Sequence, residues 1–124
     1  MPKILMVDDD PIMQLLYRNV LVQAGHEFSV AGNGAEALVS IAKSKPDLIF
    51  MDVIMPVMDG ITALRELRKT DRNHSPVVII TANVREYGAT EIEARLAGAA
   101  GLLTKPFSPA QLVAEIQKYL PVGK

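Results

Sequence analysis

The chain has 124 residues, 49% of them hydrophobic, with a formal net charge of −1 and no cysteine. That is enough chain for one domain with a real core, expected over 1–124; the near-neutral charge argues against nucleic acid or a membrane as the main partner, and disulfides and thiolate metal sites are excluded. The first residues enter an apolar segment with no signal-peptide layout, and no apolar run approaches the roughly 20 residues of a membrane span, so a soluble cytoplasmic protein is expected.

KILMV at 3–7 reads as a buried strand. Asp10-Pro11 then supplies an N-cap and a first helical position, and Ile12, Leu15, Leu16 and Val20 follow at helical spacing up to Ala24-Gly25. EFSVA at 27–31 alternates like a half-exposed strand. Asn33 with Glu36 resembles a capping box, and Ala35, Leu38, Ile41 and Ala42 form a second helical stripe. DLIFM at 47–51 is a continuous apolar strand, and its helix turns Ile61, Leu64 and Leu67 inward. VVIIT at 77–81 precedes a weaker helix around 90–97; GLLT at 101–104 precedes a last helix that starts at Ser108-Pro109 and carries Leu112, Val113, Ile116 and Leu120. Gly32-Asn33-Gly34 reads as a turn, and His26 and His74 as surface loop residues without metal-ligand spacing.

Five strands alternating with five helices predict an α/β protein with a parallel sheet. Strands one, three and four are apolar throughout, as strands covered on both faces should be, whereas two and five suit the edges. The expected architecture is therefore a doubly wound (βα)5 sheet in the order 2-1-3-4-5. Ligands of such sheets collect at the carboxyl ends of the strands beside the reversal of winding, here strands one and three.

Those ends carry Asp8, Asp9 and Asp10 after strand one, Asp52 after strand three, Thr81 after strand four and Lys105 after strand five. Two carboxylates about 5 Å apart repel by roughly 3 kcal/mol at an effective dielectric near 20, so the cluster should raise a carboxyl pKa or hold a cation. An all-oxygen set with two or three carboxylates suits Mg2+ better than a full Ca2+ cage. Beside such an ion a carboxylate can attack phosphorus, with Lys105 and Thr81 placed to neutralise the phosphoryl oxygens. Asp52 is the best nucleophile, since Asp10 is committed to capping a helix.

The pieces LMVDDD at 5–10, DVIMPVMDG at 52–60, IITA at 79–82 and GLLTKPF at 101–107 together resemble the receiver domain of two-component response regulators, over essentially the whole chain. The resemblance implies a flavodoxin-like fold and a signalling switch rather than a turnover enzyme. It implies that Asp52 accepts a phosphoryl group from a histidine kinase or histidine phosphotransfer protein. It further implies that Asp9 and Asp52 bind Mg2+ directly, Asp8 largely through water, and Ile54 through its backbone carbonyl. Lys105 would contact the phosphoryl group, Thr81 would move to hydrogen-bond it, and the Lys105-Pro106 peptide would be cis. Output would pass to a downstream protein partner or to an output domain outside this chain.

Two departures from the family pattern stand out. Leu102 occupies the place of a usual Tyr or Phe, so an aromatic rotamer switch cannot operate in that form. At the positions that tune phosphoryl hydrolysis stand Ile54, which cannot orient a water, and Asn83, which can; a lifetime of minutes or longer is expected. Two other functions compete. Asp8-x-Asp10 also resembles haloacid-dehalogenase-type phosphatases, with Asp8 as nucleophile, but this leaves 52–60 unexplained. A phosphorylation-independent interaction module would be expected to lack one of the site residues, and all are present.

Overall fold

The computed structural model describes residues 2–71, 73–81 and 87–120, and for residues 87–91 the backbone alone. The elements follow in strict alternation: β1 (Lys3–Val7), α1 (Pro11–Gln23), β2 (Glu27–Ala31), α2 (Gly34–Lys43), β3 (Leu48–Asp52), α3 (Gly60–Thr70), β4 (Val77–Thr81), α4 (Tyr87–Ala97), β5 (Gly101–Thr104) and α5 (Pro109–Tyr119). All four strand pairings are parallel and the order is β2-β1-β3-β4-β5, as the hydropathy pattern predicts.

The two-residue period of the strands divides the interior into two cores. Ile4, Met6, Leu48, Phe50, Val78 and Ile80 point to one face, where Tyr17, Val20 and Leu21 of α1 and Leu112 and Ile116 of α5 cover them. Leu5, Val7, Ile49, Met51, Val77 and Ile79 point to the other, under Ala37 and Ile41 of α2, Ile61, Leu64 and Leu67 of α3, and Ala94 and Ala97 of α4. Full burial of each large apolar side chain contributes roughly 1.5–3 kcal/mol, so the three central strands fix the sheet and the helices have little choice of side.

Helix starts follow local chemistry. Asp10, Asn33, Asp59 and Ser108 each accept a backbone N–H from the first turn of the following helix. Ser108 and Gln111 close a reciprocal capping box. The Asn33 pair does not, because the Glu36 carboxylate takes the N–H of Gly32 instead (2.9 Å).

Two helical phases differ from the sequence expectation. Ile12 and Leu15 of α1 face solvent, and the core side is formed by Tyr17, Val20 and Leu21. Apolar residues occur almost all round α1, so spacing alone does not choose the face that meets the sheet. On α2, Ala37 replaces Ala42 as the inward alanine. The helix around 90–97 begins earlier, at Tyr87. Both histidines lie in loops, as expected, but are half-buried rather than fully exposed, and His74 Nδ1 lies 2.8 Å from the Ser75 carbonyl.

Candidate functional site

The alternation that builds the cores also aims the acids. Asp8 follows Ile4 and Met6 in parity and Asp52 follows Leu48 and Phe50, so both turn toward the α1/α5 side at the carboxyl end of the sheet. Asp8, Asp9 and Asp52 each bring a carboxylate oxygen within 4.8 Å of the others; Asp8 and Asp52 are buried and Asp9 is exposed. The ammonium of Lys105 reaches in from the end of β5, 2.9 Å from Asp52 Oδ2 and 3.3 Å from Asp8 Oδ2. The sequence expectation that these residues converge is met.

Backbone contacts hold the lysine and the loop in place. Lys105 donates its N–H to the carbonyl of Thr81 (2.8 Å), which ties the strand ends of β4 and β5 together. Thr81 is buried, one residue beyond Ile80, the register partner of Asp52. The Lys105-Pro106 peptide is cis, as expected. After β3 the chain must turn sharply, and Gly60 donates to the Val53 carbonyl at 2.9 Å. A Cβ at Gly60 would run into the carbonyl oxygen of Asp52, so this close approach admits only glycine.

The apolar loop 53–58 splits its side chains between core and solvent. Met55 is buried and Met58 packs on the same core, whereas Ile54 and Val57 stand exposed, at 74% and 85%. The sequence gives no sign of that outward half, nor of the left-handed backbone of Val57 (φ 67°). The Ile54 N–H donates to the Asp52 carboxylate. Leu102 is half-buried against the α3/α4 core, and Asn83 lies outside the described residues.

Charge and burial oppose each other here. Burial pushes the Asp52 carboxyl above its ordinary value, against the pull of Lys105. For Lys105, burial favours the neutral amine, but the Asp52 and Asp8 carboxylates outweigh it and the ammonium titrates above its usual range.

Sequence reasoning missed three groups around Asp8. Asp8 Oδ1 accepts the Asp10 N–H (3.0 Å), Oδ2 accepts the Tyr17 hydroxyl (2.9 Å), and the Asp8 carbonyl accepts the Gln14 side chain (2.7 Å). Tyr17 is fully buried, and burial followed by the Asp8 charge pushes its phenol upward, so it stays a donor. Its signal was available: a tyrosine three and four residues before Val20 and Leu21 faces the core, and its hydroxyl then needs a partner. These contacts also weigh against the phosphatase reading. Asp8 is enclosed by donors rather than open to a substrate, and Asp10 spends its carboxylate on the Ile12 N–H.

Known proteins share this fold. The family model for the response regulator receiver domain matches residues 4–117. The chain is 37% identical to the chemotaxis protein CheY of Thermotoga maritima over 117 residues, 94% of this chain and 95% of that one. With the transcriptional regulatory protein PrrA of Mycobacterium tuberculosis the identity is 38% over 119 residues, 96% of this chain but 50% of that protein. Among solved structures, CheY4 of Vibrio cholerae superposes with a TM-score of 0.88 at 32% identity, covering 96% of this chain and 98% of that one. The receiver domain of the sensor histidine kinase PA1611 from Pseudomonas aeruginosa, which carries a magnesium ion in its active site cleft, gives 0.85 at 30% identity over 96% and 97%. Among the described residues no helix is long and apolar enough to cross a membrane. With the fold, the acid cluster and these likenesses in agreement, the chain belongs to the response regulator receiver domain family, the signalling switches of two-component systems.

Proposed function

We propose that this chain, as a single receiver domain over 1–124, takes a phosphoryl group onto Asp52 from a phosphohistidine on a histidine kinase or histidine phosphotransfer protein, in a Mg2+-dependent reaction in the cytoplasm. The observation that carries the reading is the Lys105 ammonium lying on Asp52 and Asp8 at once, beside three mutually close carboxylates.

The donor set fits the ion. Three acids crowd one small space, two of them buried, against the ammonium of Lys105, and every ligand atom is a hard oxygen. Asp9 and Asp52 would hold Mg2+ directly, Asp8 largely through water, with the Ile54 carbonyl completing the protein ligands. A bound Mg2+ would supply positive charge against the oxygens of the transferring phosphoryl group.

The chain's own residues do the rest. A carboxylate oxygen of Asp52 attacks phosphorus, the P–N bond of the phosphohistidine breaks as the P–O bond forms, and the departing imidazole nitrogen keeps that electron pair. Lys105, already on Asp52, follows the new charge, and Thr81 at the neighbouring strand end would hydrogen-bond a phosphoryl oxygen. The acyl phosphate carries about two negative charges where the carboxylate carried one and reaches further from the strand end, and the loops after β3 and β4 re-pack around it for a downstream partner or an output domain. The exposed Ile12, Ile54 and Val57 follow directly after the strand ends that carry the acids, an apolar margin suited to a protein donor.

Intact mass after incubation with Mg2+ and acetyl phosphate tests the chemistry. Wild type should gain one phosphoryl group and Asp52→Asn none. A wild type that stays unmodified, here and with a histidine kinase, would leave a phosphorylation-independent interaction module as the better reading.

A further inference from the structure

Tyr17 stands out as a buried hydroxyl that the phosphoryl-transfer reading does not use. A phenylalanine would fill the same space in the α1/α5 core, so packing accounts for the ring and leaves the oxygen unexplained. That oxygen donates to Asp8 Oδ2 at 2.9 Å. The ring lies parallel to Phe107, with centroids 6.2 Å apart and planes at 8°, and Phe107 is two residues beyond Lys105.

Among the described residues three donors thus hold the Asp8 carboxylate, and they differ in permanence. The Asp10 N–H on Oδ1 is part of the turn into α1. The Lys105 ammonium is shared with Asp52, and in the reaction proposed above it follows the phosphoryl group. The Tyr17 hydroxyl has no such second duty, and its ring is clamped by the core and by Phe107.

We infer that Tyr17 is a positioning residue: its hydroxyl keeps the Asp8 carboxylate aimed at the divalent-ion site when Lys105 turns to phosphate. The inference rests on the Mg2+ reading above. A fixed donor behind Asp8 limits the rotation of a carboxylate that orients the ion's water, and losing a hydrogen-bond partner of this kind commonly costs ten- to a hundredfold in metal affinity.

The test is calorimetric titration of Mg2+ into wild type and Tyr17→Phe, which keeps the ring, with urea unfolding of both. Tyr17→Phe should bind Mg2+ about tenfold more weakly. A purely structural tyrosine would lower the unfolding midpoint and leave the affinity alone; equal or tighter binding overturns the inference. A second readout needs no variant. The hydroxyl-bearing ring carbon of Tyr17 should shift in the wild-type NMR spectrum as Mg2+ is added, while that of Tyr119, beside Gly101 at the far end of β5, stays put. An unmoved Tyr17 signal on a protein that binds Mg2+ overturns the positioning role alone. A wild type that binds no Mg2+ overturns the ion site with it.

Discussion

Replacing Asp52 by asparagine should stabilise the metal-free protein. One carboxylate oxygen of Asp52 lies within 4.8 Å of one from Asp8 and one from Asp9, so each acid pair repels by about 3.5 kcal/mol or more at an effective dielectric near 20, less for the exposed Asp9. Against this, Lys105 at 2.9 Å attracts Asp52 by about 6 kcal/mol on the same scale. The Coulomb contributions nearly cancel, and the cost of burying the charge tips the balance, in line with the raised carboxyl pKa. Asparagine keeps the shape and the oxygen for Lys105, so a gain of about 1–2 kcal/mol is expected at pH 7. The pH dependence carries the sign. A carboxyl raised in the folded state contributes stability that is complete below its unfolded value, 3.8, and is lost as pH climbs through the folded one. The advantage of Asp52→Asn should therefore be small near pH 3.8 and full at neutrality. Urea unfolding of both proteins across that range, without divalent ions, measures it. A variant less stable than wild type at pH 7, or an advantage that ignores pH, would refute the electrostatic account.

Other consequences follow from the same geometry. Lys105→Met leaves Asp8 and Asp52 buried without their ammonium and should cost about 3 kcal/mol in urea unfolding, a loss that added Mg2+ should partly restore. In wild type, the Lys105 contribution is complete below its unfolded value of 10.5 and is lost as pH rises through the raised folded value. Alkaline unfolding should thus be steeper in wild type than in Lys105→Met. Gly60→Ala should cost 3 kcal/mol or more, on the order of a severe overpacking, because the atom it meets is backbone and belongs to Asp52. Thermal unfolding checks that, and a fall below about 1 kcal/mol would show that the turn can move aside.

The sheet was legible because β1, β3 and β4 are apolar at every position that must be covered on both faces, which leaves little freedom in their order. The acid cluster was legible for the same reason: once strand ends are fixed, Asp8, Asp52 and Lys105 have one place to go. Helix phase was harder. Ile12, Met13, Leu15, Leu16 and Tyr17 run almost without a polar break, and only docking on the sheet shows that Tyr17 turns in and Ile12 out. That ambiguity also hid the hydroxyl on Asp8. The loop after β3 was not legible: Met55 fills the core, whereas the outward turn of Ile54 and Val57 depends on the path forced by the close approach at Gly60.

The bond from Lys105 to Asp8 joins residues 97 apart in the chain. During translation both acids of the first strand and Asp52 leave the ribosome well ahead of their counter-charge. A nascent chain stopped before β5 would carry the anions of the pocket with no amine to balance them. The charge-balanced pocket can therefore form only once β5 and Lys105 are in place.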